Sequence, residues 1–304
     1  PGQADSVISH VTVLTNPASG HGNAPHAAER AIAQWQRRGL DTVEIVGRDG
    51  AHARELLRDA LDRGTDAVAV TGGDGVIALA LQELAGGRVP LAIVPAGTGN
   101  DHARAFGIPC DNPEAAADLL LDGHCRTVDL GRIDGPDGTS KWFGTVVATG
   151  FDALVSDRAN RMRWPRGRMR YNVAMIAELS RLRLLPFRLS FDDGPTEDVQ
   201  LTMTAIGNTR SYGGGMLICP YADPTDGLLD VTMISSASRT RLVRLFPTVF
   251  KGTHVDLDTV STRRARTVAV ECPGINAYAD GDFACALPAR ITAVPDALRI
   301  VTPA

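Results

Sequence analysis

Two glycine-rich turns carry the residues best suited to chemistry. Gly72-Gly73-Asp74-Gly75 follows the apolar run Ala67 to Thr71, and Gly97-Thr98-Gly99-Asn100-Asp101 follows Leu91 to Ala96. Glycine lets the backbone approach a phosphate, and a helix opening after such a turn presents free N–H groups and the positive end of its dipole. In the second turn Thr98 offers a hydroxyl and an N–H, and Asn100 an amide, to phosphate or ribose. Asp74 would repel phosphate unless it faced a metal, a cation or the transferred group. It is read either as a magnesium or catalytic acid or as a purely structural residue bonding within a tight turn. Asp101 has two readings as well, a metal shell or the cap of the following helix, and the cap is preferred. A third turn, Asn16-Pro17-Ala18-Ser19-Gly20, ends the first strand. Together the three turns read as the polyphosphate site of a nucleotide-binding core. Gly73 to Ala78 also fits the dinucleotide pattern G-x-G-x-x-A, but the next strand ends in Pro95-Ala96 without the acid that would hold a ribose, and the chain has no Walker-type loop.

The elements that must position these turns alternate. Val11 to Thr15, Thr42 to Val46, Ala67 to Val70, Leu91 to Val94 and Thr127 to Ile133 read as strands. Helical patterns lie between them: Ala27 to Trp35, Leu56 to Leu61, Val76 to Ala85, and a segment opened by Asn112-Pro113-Glu114 that runs through Leu121. Such alternation implies an α/β domain with a mostly parallel sheet. From Gly135 onward the pattern changes to alternating strands joined by short turns. Phe187 to Phe191 is expected to pair with a single strand from Val199 to Ile206, and helices are expected near Tyr171 to Arg183 and Arg239 to Phe250. The fold expected is therefore an α/β amino-terminal domain over residues 1–133 and a β-rich, antiparallel, sandwich-like carboxyl-terminal domain over residues 134–304.

Composition narrows the classes. The 304 residues carry a net charge of −4, which argues against a general nucleic-acid binder. Five scattered cysteines without a Cys-x-x-Cys pair fit a reducing compartment better than a disulfide framework, and the histidines show no zinc-ligand spacing. There is no apolar run near the roughly 18 residues of a spanning helix, and no signal-peptide pattern is read. A cytoplasmic protein is expected.

These residues resemble the diacylglycerol kinase catalytic domain family, which includes sphingosine and ceramide kinases and the soluble bacterial lipid kinases. The resemblance rests on Asn16 to Gly20, Gly72 to Gly75, Pro95 to Asp101 and Asp280-Gly281-Asp282, and looks closest to the actinobacterial soluble diacylglycerol kinases. It implies that ATP is held by Asn16, Pro17, Ala18, Ser19, Gly20, the Gly72 to Gly75 loop, Val76, Gly97, Thr98 and Asn100. Val76 stands where the family usually has threonine, which leaves its backbone amide to the site. The resemblance implies lipid in the carboxyl-terminal domain and transfer in a cleft, with Asp280 or Asp282 accepting the proton and Asp74 engaging metal or hydroxyl. It further implies Mg2+ at Asp223, Asp226 and the Leu228 carbonyl, against the plainer reading of an unmetallated Asp-Pro-x-Asp-Gly turn.

The activity implied is transfer of the ATP γ-phosphate to diacylglycerol, giving phosphatidic acid at the inner membrane face. Kinases of sphingoid bases or ceramide, NAD kinase and a non-catalytic nucleotide-binding regulator are the alternatives. The arginines from Arg158 to Arg170, interleaved with Met162, Trp164, Met169 and Tyr171, suit contact with an anionic membrane surface or form a solvated face. Leu242, Leu245, Phe246 and Phe250 form a stripe expected to be core. The oligomeric state is left open.

Overall fold

The computed structural model describes residues 8–16, 22–165 and 168–304. By its contacts the chain forms two units, Pro1–Leu130 with Pro295–Ala304, and Gly131–Val294.

Unit 1 is built in chain order from β1 (His10–Thr15), α1 (Ala24–Arg37), β2 (Asp41–Ile45), α2 (Gly50–Asp62), β3 (Ala67–Gly72), α3 (Asp74–Leu84), β4 (Leu91–Pro95), α4 (Asp101–Ala105), α5 (Pro113–Asp122) and β5 (His124–Asp134), the last running on into unit 2. The parallel order is β2-β1-β3-β4, and the end of the chain's last strand lies parallel to β4, with Ile300 opposite Leu91. That pairing is why Pro295–Ala304, remote in sequence, belong with this unit. Strands β3 and β4 are buried along their whole length, as expected of strands covered on both faces. One face packs Val13, Ala69 and Val94 against Ala31 and Trp35 of α1 and Ala117 of α5. The Trp35 indole N–H donates to the Ala117 carbonyl at 2.8 Å, so a large apolar ring is buried with its polar atom satisfied. The Asn112 side chain caps α5, accepting from the Ala115 amide at 3.0 Å.

Unit 2 contains β6 (Ser140–Phe143), β7 (Val146–Gly150), α6 (Phe151–Arg161), α7 (Arg168–Ser180), β8 (Leu185–Phe191), β9 (Glu197–Leu201), β10 (Met203–Gly207), β11 (Leu229–Ile234), α8 (Arg239–Lys251), β12 (Val260–Ala265), β13 (Thr267–Glu271), β14 (Asn276–Ala279), β15 (Asp282–Ala286) and the first part of β16 (Ala289–Thr302). One antiparallel sheet has the order β12-β11-β10-β7-β14-β15. A second antiparallel layer runs β16-β13-β8-β9. Phe187, Leu189, Val270 and Ile291 from this layer share a core with Val147, Val231 and Ala277 from the first, the packing of a β-sandwich. The expected fold class, a parallel α/β part followed by an antiparallel β-rich part, is the one observed.

The single strand expected from Val199 to Ile206 is in fact two. Glu197–Leu201 pairs with β8, whereas Met203–Gly207 lies between β7 and β11 in the other sheet. Buried Thr202 makes the crossing: its hydroxyl donates to the Ser236 carbonyl and accepts from the Ser236 amide, replacing ladder bonds at the switch. Sequence alternation continues through this point, which is why it reads as one strand.

Candidate functional site

The two glycine turns of unit 1 are one structure. Strand β3 ends at Gly72 and Gly73 precedes α3, while the turn after β4 brings Gly97 directly onto Gly73. A Cβ on Gly97 would lie 2.4 Å from the Gly73 Cα, so only a residue without a side chain fits. Asn100 adopts the left-handed region at φ 54°, and its side chain closes the turn: Oδ1 accepts from the Gly97 amide at 3.0 Å and Nδ2 donates to the Gly97 carbonyl at 3.1 Å. The amide expected to reach phosphate or ribose is thereby turned onto its own loop. Thr98 and Gly75 stay exposed, and Val76 is buried.

Asp74 fastens this structure to α4. Its Oδ2 accepts from the Asp101 amide at 3.0 Å, and its Oδ1 accepts from the His102 amide at 2.9 Å and lies 2.8 Å from His102 Nδ1. Burial pushes the carboxyl pKa up. The hydrogen bonds and charge of His102, with the Asp101 amide, outweigh burial and hold it down at about 2. Asp101 is the first residue of α4 and not its cap: Asn100 holds the cap position without a side-chain cap bond, and Asp101 pairs with Arg104 at 2.8 Å. Of the first turn, Asn16 donates its amide to the Thr71 carbonyl at 3.4 Å, while Pro17, Ala18, Ser19 and Gly20 lie outside the described residues.

Beside the second turn opens a cavity of about 340 Å³, within the roughly 300–1,000 Å³ of small-molecule sites. Thr98, Asn100, His26, Arg30 and Asp111 line it. Sequence reading passed over His26 and Arg30. Their signal is the i, i+4 spacing on α1, which puts an imidazole and a guanidinium on one helix face. Glu114 at the start of α5 holds Arg30 through two bonds of 2.7 and 2.5 Å. On the face of β1 and β3 that α1 covers, the adjacent Thr15 and Thr71 hydroxyls are buried without a hydrogen-bond partner. The cavity thus combines the turn's backbone and the Thr98 hydroxyl with His26 and the Glu114-paired Arg30, polar groups of the kind that can receive a polyphosphate.

In unit 2, β14 delivers Asp280 and Gly281 into a two-residue hairpin turn with φ 51° and 83°, and β15 begins at Asp282. Asp280 is buried. Its Oδ2 accepts from the Gly144 amide at 2.9 Å, and its Oδ1 accepts from the Thr145 amide at 2.8 Å and hydroxyl at 2.6 Å. Asn208 fixes that donor loop in turn, giving its side-chain amide to the Gly144 carbonyl at 3.0 Å and its backbone amide to the Thr145 carbonyl at 2.8 Å. Asp282 is exposed, and its side chain has no hydrogen-bond or ion-pair partner among the described residues.

The acidic turn at Asp223 is closed by hydrogen bonds of its own. Asp223 Oδ1 accepts from the Thr225 amide and hydroxyl at 3.0 and 2.6 Å, and Asp226 Oδ1 from the Leu228 amide at 2.9 Å. Arg264 then answers the charge, donating to Asp226 and, at 2.9 Å, to Asp230. Burial raises the Asp230 pKa, Arg264 opposes it, and Asp226 and Asp223 add to the rise. The oxygens are of the hard type magnesium prefers. A guanidinium nevertheless stands among them, and the described residues contain no group of three or more His, Cys, Asp or Glu side chains arranged for a metal. As placed, Asp226 is engaged by Arg264 and by the Leu228 amide, and Asp223 by Thr225 of its own turn.

Comparison with known proteins covers nearly the whole chain. The sequence profile of the diacylglycerol kinase catalytic domain matches residues 10–133, and that of the YegS C-terminal NAD kinase β-sandwich-like domain matches residues 145–302. A protein named diacylglycerol kinase from Mycobacterium tuberculosis is 66% identical over 296 residues, 97% of this chain and 96% of that one. A Stenotrophomonas maltophilia protein named "Probable lipid kinase YegS-like" is 32% identical over 285 residues, 90% of this chain and 91% of its own. Among solved structures, a diacylglycerol kinase from Bacillus anthracis has the same fold, with a TM-score of 0.71 at 19% identity, covering 97% of each chain.

Proposed function

The chain belongs to the diacylglycerol kinase family and is a lipid kinase, and on that footing we propose that it transfers the γ-phosphate of ATP to the free hydroxyl of diacylglycerol, giving phosphatidic acid. The observation that carries the donor half is the fused pair of glycine turns beside a cavity that presents Arg30 and His26. ATP enters as its magnesium complex, a substrate. Backbone amides around Gly73, Gly75 and Val76, with Thr98, face the phosphates, while the Gly97 amide closes its own turn onto Asn100 and Arg30, paired with Glu114, lines the cavity. Asp74 and Asn100 act as positioning residues that hold these amides in place. The preference for diacylglycerol over another lipid alcohol rests on the close identity to a protein of that name.

In the transfer the lipid hydroxyl oxygen bonds to the γ-phosphorus as the bond to the β,γ-bridging oxygen breaks, and ADP leaves with that electron pair. The hydroxyl proton passes to a carboxylate of the Asp280 hairpin. Asp280 is the first choice, because three donors from Gly144 and Thr145 lock its orientation before substrate arrives. Asp282 is the second, favoured by its exposure and unengaged oxygens. No step passes through Asp223 or Asp226. A peripheral place at the inner membrane face is part of the same proposal, and no helix among the described residues is long and apolar enough to cross a membrane.

The reading is tested by incubating purified protein with γ-labelled ATP and, separately, diacylglycerol, sphingosine, ceramide and NAD. Label in phosphatidic acid is expected. Label in another acceptor would replace diacylglycerol, and ATP binding without transfer to any of them would leave a nucleotide-binding regulator.

A further inference from the structure

The two long helices on the surface of unit 2 present apolar side chains on both faces. Inward, Ala174 of α7 packs with Val155 and Ala159 of α6, and Leu245 and Val249 of α8 pack with Met203, Ile218 and Ile234. Outward, α7 exposes Met169, Val173 and Ile176 at the i, i+4, i+7 spacing of a single stripe, with Ile176 68% exposed. Outward on α8 stand Val243, Phe246 and Phe250, the two rings meeting edge to face at 5.6 Å. Trp164, in the turn before α7, is 81% exposed. A helix that needs only to cover a core has no use for this second stripe, and an exposed apolar patch of this kind marks a surface that meets another apolar phase.

The charges that the two helices themselves present outward have one sign, although the exposed Asp256 and Asp258 lie in the segment that follows α8. Helix α8 carries Arg239, Arg241, Arg244 and Lys251 and no acid. The acid of α7, Glu178, is turned inward onto Arg158 at 2.5 Å, so the first arginine of the expected membrane stretch is already neutralised. Arg161, Arg163, Arg181 and Arg183 make no ion pair among the described residues. Arg166 and the side chain of Arg168 lie outside what is described. The Arg239 guanidinium donates to the Ser180 carbonyl and so joins the start of α8 to the end of α7.

We propose that the outward faces of α7 and α8 form a membrane-docking surface that seats apolar side chains in an anionic lipid bilayer while the flanking arginines and Lys251 meet its headgroups. Apolar anchors ringed by cations on a chain of net charge −4 match an anionic lipid surface. A second copy is disfavoured, since a self-complementary interface would set these cations against their own kind. The inference rests on the lipid-kinase reading in one respect, that the acceptor resides in a bilayer.

The test is co-sedimentation of the purified chain, without ATP, with vesicles of phosphatidylglycerol and phosphatidylcholine or of phosphatidylcholine alone. The wild type is expected to sediment with the anionic vesicles and to be released by salt. Ile176→Asp combined with Phe246→Asp should reduce capture about tenfold or more. That variant should keep its melting temperature, because both side chains are exposed, and its turnover on a short-chain diacylglycerol in solution. Arg241→Glu with Arg244→Glu should remove the preference for anionic vesicles. Equal capture of the Ile176/Phe246 variant, no capture of the wild type, or a wild-type dimer that this variant splits would each overturn the proposal. Because capture is read without nucleotide, docking without phosphoryl transfer would sink the proposed acceptor and leave the docking surface standing.

Discussion

Each unit contains an aspartate in a glycine-rich turn, half-buried in unit 1 and buried in unit 2, and each turns its carboxylate onto a second loop. Asp74 in unit 1 accepts from Asp101 and His102, and Asp280 in unit 2 accepts from Gly144 and Thr145. The difference lies in what stands beside them. Asp74 adjoins glycine amides and no second exposed acid in its own turn, whereas Asp280 is followed two residues later by the unengaged Asp282. A fixed carboxylate can organise amides for an anionic donor without touching it. Beside a neutral hydroxyl the same fixed geometry suits a proton acceptor. The comparison therefore separates a positioning acid from a reacting one by what each turn is made to receive.

The strongest way to break the unit 1 side is Gly97→Val. The new side chain has no space against Gly73, so the loops must part; a loss of about 3 kcal/mol of stability is expected, and ATP affinity should fall roughly hundredfold, read by thermal melting and calorimetric titration.

Asp74→Asn is the next in size. The Asp74 pKa is held near 2, below its unfolded value of 3.8, so the group stabilises the fold above that unfolded value and ceases to do so as pH falls toward 2. The shift corresponds to about 2 kcal/mol near neutral pH, and the variant should lose that amount while its stability flattens between pH 4 and pH 2. Melting curves across that window check both parts.

In unit 2, Thr145→Val removes the hydroxyl donor to Asp280 and leaves the two amides. A cost of about 1.5 kcal/mol is expected for the lost bond to a charged group, with kcat lowered and the ATP dissociation constant unchanged. A fall in ATP affinity instead would show that Asp280 serves the donor.

The smallest effect sharpens the metal question. Arg264→Met leaves the partly exposed Asp226 and the buried Asp230 without their cation, and because burial already favours the protonated form of Asp230 the cost should be about 1 kcal/mol. In the absence of nucleotide, magnesium should raise the melting temperature of this variant and leave that of the wild type unmoved. A magnesium response in the wild type would restore the ion to the Asp223 turn.

Much of this was legible in the residues. The parallel unit follows from apolar periodicity and its caps, as at Asn112, because a strand covered on both faces and a helix covered on one write different patterns. The partners of the acids divide by distance: Asp74 meets its donors 27 and 28 residues on, within the run that the two glycine turns define, whereas Asp280 meets Gly144 and Thr145 from 136 and 135 residues away. Nothing local at Asp280 announces those donors. The stripe of Leu242, Leu245, Phe246 and Phe250 reads as core, yet only the leucines turn inward. Helical spacing fixes which residues share a face and leaves open what that face meets. The strand crossing at Thr202 was hidden for a similar reason, since alternation is the same on either side of a change of sheet.

The division of labour is tested most directly by comparing Asp280→Asn with Asp282→Asn for turnover of diacylglycerol at saturating ATP, with melting and ATP titration run on each. Asp280→Asn should lower kcat about a thousandfold, within the range of general-base catalysis, while ATP binding persists and Asp282→Asn stays near wild type. Wild-type turnover by Asp280→Asn, with Asp282→Asn inactive, would contradict the account and move the reacting acid to the exposed side of the turn.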